Sequence, residues 1–217
     1  MPLKYNDLTI TWLGHASFRI SNSQTIYLDP FQLLQGPQAD MICITHDHFD
    51  HCSPDDIKKI VSEKTVIVAT PPCSDQLKDL KIKDLKLVKP GDELEIDTIT
   101  VTVVPAYNVN KYRAPGKVYH PEEELKVGYI LRIGQTSIYH AGDTDLIPDM
   151  AGIDVDVALL PVSGTFVMTA EEAAQATKTM KTKVAIPMHY GAIVGDESNA
   201  IRFQELAAGK IKILKKE

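Results

Sequence analysis

The stretch ITHDHFDHCSPDD, residues 44–56, decides how this chain is read. Three of its seven histidines, His46, His48 and His51, fall here, with Asp47 and Asp50 among them. The stretch follows MIC, residues 41–43, and Ile44 completes a run too apolar to be an exposed strand. His46 and His48 are two apart, so on an extended backbone they share one side. Asp50 and His51 then enter a tight turn. Ser53 suits an N-cap, Pro54 the first helical position and Asp56 the acid of a capping box, which predicts a helix over residues 54–62. A loop held between a buried strand and a helix start is a rigid base for ligands. Neutral imidazole suits zinc and other borderline divalent metals. A solvated polar loop would explain the acids but not three clustered imidazoles.

One loop can begin a metal site but cannot complete two. Two further loops at strand ends offer the same chemistry: YHAGDTD, residues 139–145, with Asp143, and PMHYG, residues 187–191, with His189. His140 reads as a structural residue of its strand, with support of Asp143 as the alternative. Cys52 reads as a small buried residue behind the histidine loop.

The 217 residues are enough for one domain with a substantial core, expected over residues 1–217, with two small domains as the less favoured alternative. Apolar residues make up 44% and charged residues 24%, the balance of a soluble globular chain. Lys and Arg number 23 against 29 Asp and Glu, a net charge of -6 that argues against a nucleic-acid partner. No apolar run has signal-peptide or membrane-spanning length. Cys43, Cys52 and Cys73 suit neither a disulfide framework nor a cysteine-based zinc finger. The expectation is a cytoplasmic protein acting on a small molecule, with no membrane partner; its oligomeric state is not legible.

Strands are predicted at LTITWLG, SFRI, TIYLD, MICIT and TVIVAT, and a helix near residues 74–80. Further strands follow at KLVKP, DELEI and TITVTVVPA. Residues 107–126 show no clear periodicity and contain Pro115, Gly116 and Pro121; so long a loop is more often functional than idle. Strands resume at VGYILRI, TSIYHAG and VDVALLPV. Thr169 and Glu172 make a capping box for an Ala-rich helix reaching about Met180. KVAIPMHY is a strand, NAIRFQELAAG a last helix with Gly209 at its C-cap, and KIKIL a closing strand. IYLDP followed by ADMICITHDH echoes IYHAGD followed by VDVALLPVSG, as two similar α/β halves would.

With these residues in view, the chain resembles the metallo-β-lactamase superfamily, whose signature is H-x-H-x-D-H followed by a distant Asp in G-D and a distant His. His46, His48, Asp50, His51, Asp143 and His189 match it. TWLGHASFRI, LDP, IYHAGDTD, DVALLPVSG, MTAEEA and IPMHYG look like the branch of small single-domain hydrolases related to L-ascorbate-6-phosphate lactonase. The resemblance covers nearly the whole chain. It implies an α/β fold, an αββα sandwich of two similar halves with the metal centre at one sheet edge. It also implies that His46 and His48 hold a first metal, Asp50, His51 and His189 a second, and Asp143 bridges them. The implied cofactor is a pair of zinc ions, with manganese or iron as alternatives. The implied reaction is cleavage of a small ester, lactone or phosphodiester by metal-bound hydroxide, with Asp50 orienting the nucleophile or accepting its proton.

One part of the family pattern is missing. Most relatives supply a third histidine to the first metal after the strand matching TVTVVPA, where this chain reads PAYNVNKYR. Tyr107 or Asn108 occupies that place, and His120 is the nearest imidazole in the same loop. Three arrangements stay open: His120 folds back as ligand, Asn108 or water fills the place, or the first site binds weakly. His15 also matches the branch, either as a contact to the centre or substrate or as a satisfied histidine at a strand end. Lys111 and Arg113 in the long loop suit a substrate phosphate or carboxylate. Competing readings are a nuclease of the tRNA-processing type, disfavoured by the acidic charge, and a non-catalytic metal-binding protein. A flavin-linked di-iron protein would need a flavin domain for which the chain has no room.

Overall fold

β-Branched and apolar runs become strands here, and Gly, Asn, Asp and Pro mark their ends. The computed structural model describes residues 1–207 and 209–217. They divide into two compact units, Met1–Val88 with Leu214–Glu217, and Lys89–Ile213.

In the first unit β1 (Leu3–Tyr5), β2 (Leu8–Gly14), β3 (Ser17–Ser21), β4 (Thr25–Leu28), β5 (Met41–Ile44), β6 (Val66–Ala69) and β7 (Asp84–Leu87) form one sheet in chain order. β1 to β4 make an antiparallel meander, and β4 to β7 run parallel. Every residue of β5 and β6 is buried, so both read as unbroken apolar runs rather than alternating ones. Ile42, Ile44, Ile67 and Ala69 pack with Cys52, Ile57, Ile60, Cys73 and Leu77 from the segments that follow the strands.

The helix predicted over residues 54–62 is shorter. α1 spans Pro54–Ile57, with Ser53 as N-cap and Pro54 in the first turn as expected. Beyond it the bonding mixes three- and four-residue spacing, Lys59 N–H to Asp56 O (3.1 Å), Ile60 N–H to Ile57 O (3.0 Å) and Val61 N–H to Ile57 O (3.1 Å). Asp56 also does a different job from the one read. Its carboxylate accepts the Ser53 hydroxyl (2.8 Å) and the amides of Gln32 (2.8 Å) and Leu33 (2.9 Å). Burial alone would raise its pKa, but Lys59, Ser53 and those amides outweigh it and hold the carboxyl below its ordinary range. α2 (Ser74–Leu77) is likewise a short helix, entered through a 3₁₀ turn at Pro71–Cys73.

The second unit repeats the plan. β8 (Glu93–Ile96), β9 (Ile99–Pro105), β12 (Val127–Ile133), β13 (Thr136–His140), β14 (Asp154–Pro161) and β15 (Lys181–Met188) form its sheet in the order β15-β14-β13-β12-β9-β8. β8, β9, β12 and β13 are antiparallel neighbours, and β13, β14 and β15 are parallel. The sequence echo is therefore structural: Ile26 to Leu28 pair with Met41 to Cys43 as Ile138 to His140 pair with Val157 to Leu159. α3 (Ala170–Thr179) opens on the full capping box of Thr169 and Glu172, and α4 (Glu197–Leu206) packs on α3 and β15.

Two readings need correction. Residues 107–126 are not wholly irregular, since β10 (Tyr112–Ala114) and β11 (Lys117–Val118) form a hairpin before a 3₁₀ turn at Glu122–Glu124. KIKIL is not a strand, because Ile211 makes a single parallel bridge with Ala185. Among the described residues no helix is long and apolar enough to cross a membrane.

Candidate functional site

In the first unit the ligand candidates sit just past the ends of β2, β4 and β5. Parallel strands end together at one edge, which gathers their loops. His46 and His51 are buried, Asp50 nearly so, and His48 is exposed. The rings of His46 and His48 lie 4.5 Å apart between centroids, and those of His46 and His51 4.1 Å. His15, Asp50 and His51 each offer a ligand atom within 4.8 Å of the others.

Neighbours orient each of these groups. Asp29 is fully buried, and its Oδ2 stands 2.7 Å from His51 Nδ1. The same carboxylate accepts the Thr45 amide (2.8 Å) and hydroxyl (2.7 Å). Thr45 Oγ1 also lies 3.0 Å from His46 Nδ1. With Nδ1 engaged on both rings, Nε2 is the nitrogen each would offer a metal. His15 Nε2 meets Asp50 Oδ2 at 2.9 Å and fixes that carboxylate.

In the second unit Asp143 is buried between two imidazoles. Its Oδ2 lies 3.1 Å from His189 Nε2 and 3.8 Å from His120 Nε2. Ser163 Oγ is 3.2 Å from His189 Nδ1, the counterpart of Thr45 and Asp29 in the first unit. His140 Nδ1 accepts the amide of Gly142 (3.2 Å), the residue before Asp143. Gly128 on β12 lies under this loop; a Cβ there would stand 2.7 Å from the His140 carbonyl oxygen, so only glycine fits.

The long loop is mounted on the same strand ends. Asn108 is buried and hydrogen-bonded at both ends of its side chain: Nδ2 donates to Phe166 O (2.8 Å) and Oδ1 accepts the His120 amide (2.9 Å). Asn108 thus holds His120. Asp145, fully buried, accepts the amides of Val109 (2.7 Å) and Asn110 (2.9 Å). Lys111 Nζ bridges Asp145 (3.2 Å) and Glu172 (2.7 Å), so its charge faces two carboxylates. Burial would raise the Glu172 pKa, but Lys111, Asn110 and the Thr169 amide together lower it. Arg113 and Lys117 are exposed on the hairpin, on the wall of a cavity of ≈ 490 Å³ that Tyr107 and Asn108 also line. Tyr107 donates its hydroxyl to Asp149 (3.0 Å), and burial with that acid pushes its pKa up to about 12.

Three of the residues at these strand ends hold a left-handed backbone: His15 (φ 51°), Asp29 (φ 42°) and His189 (φ 59°). Each costs roughly 1–2 kcal/mol, and such strain concentrates where a side chain must be aimed.

Residues 9–189 match the family model for the Beta-lactamase superfamily domain. A UPF0173 metal-dependent hydrolase of Methanoculleus marisnigri is 34% identical over 206 residues, 91% of this chain and 87% of that protein. The chain belongs to this family, within the metallo-β-lactamase superfamily. A crystal structure from Parabacteroides distasonis is 30% identical with a TM-score of 0.82, covering 99% of this chain and 98% of the other. Igni18, a metallo hydrolase from Ignicoccus hospitalis, is 22% identical with a TM-score of 0.74, covering 96% and 95%, and shares the fold. The α/β fold class expected from the sequence is that of the family.

Sequence reasoning named none of Asp29, Thr45, Asp145 and Ser163 as a site residue. For Asp29 a signal existed: LDP ends a strand on an acid, as HAGD does. For Thr45 and Ser163 there was none, since their role is to hold another side chain.

Proposed function

We propose that this metal-dependent hydrolase cleaves a small ester, lactone or phosphodiester, as a member of the branch related to L-ascorbate-6-phosphate lactonase. The observation that carries the reading is the orientation of its imidazoles by buried partners, above all His51 by Asp29. The donor chemistry fits a divalent metal: imidazole nitrogen and carboxylate oxygen suit zinc, and also manganese or iron. The ligands are His46, His48, Asp50, His51, Asp143 and His189, for two metals. His120 joins them as the missing third imidazole of the first metal, because Asn108 holds it and Asp143 faces it. Bound metals would supply Lewis acidity and lower the pKa of a bound water. Asp50 carries the proton chemistry; its Oδ2 is held by His15 Nε2, so the carboxylate stays aimed as it takes the proton of the attacking water. A cytoplasmic setting is part of the proposal and suits the three buried free cysteines.

A hydrolysis screen of the metal-loaded protein across lactones, phosphodiesters, thioesters and β-lactams tests the activity. Turnover of none of them would refute it. Cleavage of RNA alone would instead favour a nuclease, and metal binding without turnover a non-catalytic metal-binding protein.

Two variants test the ligand scheme. Stepwise chelation with metal counting should show both wild-type metals leaving over a similar range. His120→Ala should split that release into two steps. An early, separate first loss in the wild type would mean that the first site lacks its third imidazole. Asp29→Ala should weaken metal binding about 10- to 100-fold, the usual cost of losing a carboxylate behind a ligating histidine. Chelator competition measures it, and an unchanged affinity would remove Asp29 from that role.

A further inference from the structure

Phe49 stands inside the histidine loop, between His48 and Asp50, yet is 68% exposed. Lone exposed apolar side chains are ordinary, but this one has company. Its ring meets Phe31 edge-on at 5.9 Å, and Phe31 meets His15 edge-on at 5.9 Å. His15 in turn holds Asp50. An unbroken line of rings therefore runs from solvent to the carboxylate proposed to move the proton.

Both aromatic residues are carried on fixed backbone. The Phe49 turn is closed by the amides of His51 and Cys52 on the His48 carbonyl (3.0 and 2.8 Å), and Gln76 Nε2 donates to Asp47 O (2.8 Å). Phe31 lies between two left-handed residues, Asp29 (φ 42°) and Gln32 (φ 52°). Asp56 anchors the segment through the amides of Gln32 and Leu33, and Lys59 Nζ holds the Leu33 carbonyl (2.6 Å). A strained and anchored segment that leaves aromatic surface in water has a use for that surface. Residues 30–37 and 44–56 contain no lysine or arginine, and Lys59, which reaches this segment, is already engaged by the Leu33 carbonyl and Asp56, so these segments offer no uncommitted cation to an anionic group.

We propose that Phe31 and Phe49 are specificity-determining residues, forming an apolar rim that receives an uncharged aryl or alkyl group of the substrate next to the bond cleaved. The inference rests on the hydrolase reading and names the substrate class within it. An aromatic group on the substrate packs against Phe49 and leaves its reacting carbonyl toward Asp50. Substrates ending in phosphate at that side are disfavoured.

Calorimetric titration of the metal-loaded protein with 4-phenylbutyrate and butyrate measures the rim without turnover. Wild type should bind the phenyl compound about tenfold or more tightly, in the range set by apolar pocket contacts. Phe49→Ala and the Phe31→Ala, Phe49→Ala pair should reduce that preference to about threefold or less, and Phe49→Leu should retain most of it. Elemental analysis of each variant confirms that the metals are retained. A wild type with no preference, or a preference that survives both substitutions, overturns the proposal. Assays on γ-butyrolactone and γ-phenyl-γ-butyrolactone separate the two readings. Loss of the binding preference without any turnover leaves the rim standing and the hydrolase reading refuted. Turnover of both lactones at equal efficiency does the reverse.

Discussion

Asp50→Asn is expected to slow hydrolysis of the best substrate by ~10²–10⁴, the range for losing a positioned acid–base group. The substitution keeps the size of the side chain and one oxygen for a metal or for His15. It removes the negative charge, and with it the ability to take a proton. His15 meets Asp50 at 2.9 Å, and its own carbonyl is held by the Trp12 indole N–H at 2.9 Å, so the pair is anchored from behind. Collapse of the loop is therefore not the expected cause of the loss. The measurement is kcat on protein whose metal content has been matched to wild type. Activity within a few-fold of wild type would remove Asp50 from the proton step, whatever its part in holding metal.

The His51→Ala, His189→Ala double variant should lose at least one metal equivalent by elemental analysis. Its stability should also respond less to chelator than that of the wild type. A ligand that binds only the folded chain stabilises it by about 4 kcal/mol at a thousand times its Kd, so removing metal from the wild type should lower Tm markedly. The double variant starts from the lower value. Both substitutions remove rings tied to buried partners, Asp29 at 2.7 Å and Ser163 at 3.2 Å, so part of the loss is structural. The response to chelator isolates the rest. Equal metal content in variant and wild type would overturn the ligand assignment.

The strands were legible because their runs are apolar or alternating and their ends are punctuated. MICI and VIVA could only be interior, and Thr169 with Glu172 announced α3 through two side-chain bonds that sequence spacing encodes. The helix at residue 54 was legible in its start and not in its length. Its cap is local chemistry, whereas the Asp56 side chain inside it is claimed by Gln32 and Leu33, more than twenty positions away in the chain. The same division runs through the site. His46, His48, Asp50 and His51 declare themselves by crowding. Asn108, a candidate for the missing ligand place, and Lys111, a candidate substrate contact, bond instead to His120, Phe166, Asp145 and Glu172, partners that only folding brings near. Periodicity likewise gave no hint of the hairpin in residues 107–126, because its strands are two or three residues long.

His15, Asp29 and His189 each follow directly on the last residue of a strand, and His46 and Ser163 come one residue later. A strand alternates its side chains from face to face, so gaining or losing one residue within β2, β4, β5, β14 or β15 would swing either its core contacts or the group at its tip to the wrong side. Over descent, such strands can change letters but not length. The segments between them, such as residues 31–40 and 106–126, are not held to a two-residue period and can change length away from their own anchors at Gln32, Leu33, Asn108 and His120. New substrates in this lineage should therefore arise through insertions and deletions in those segments, while the tips of the strands stay in step.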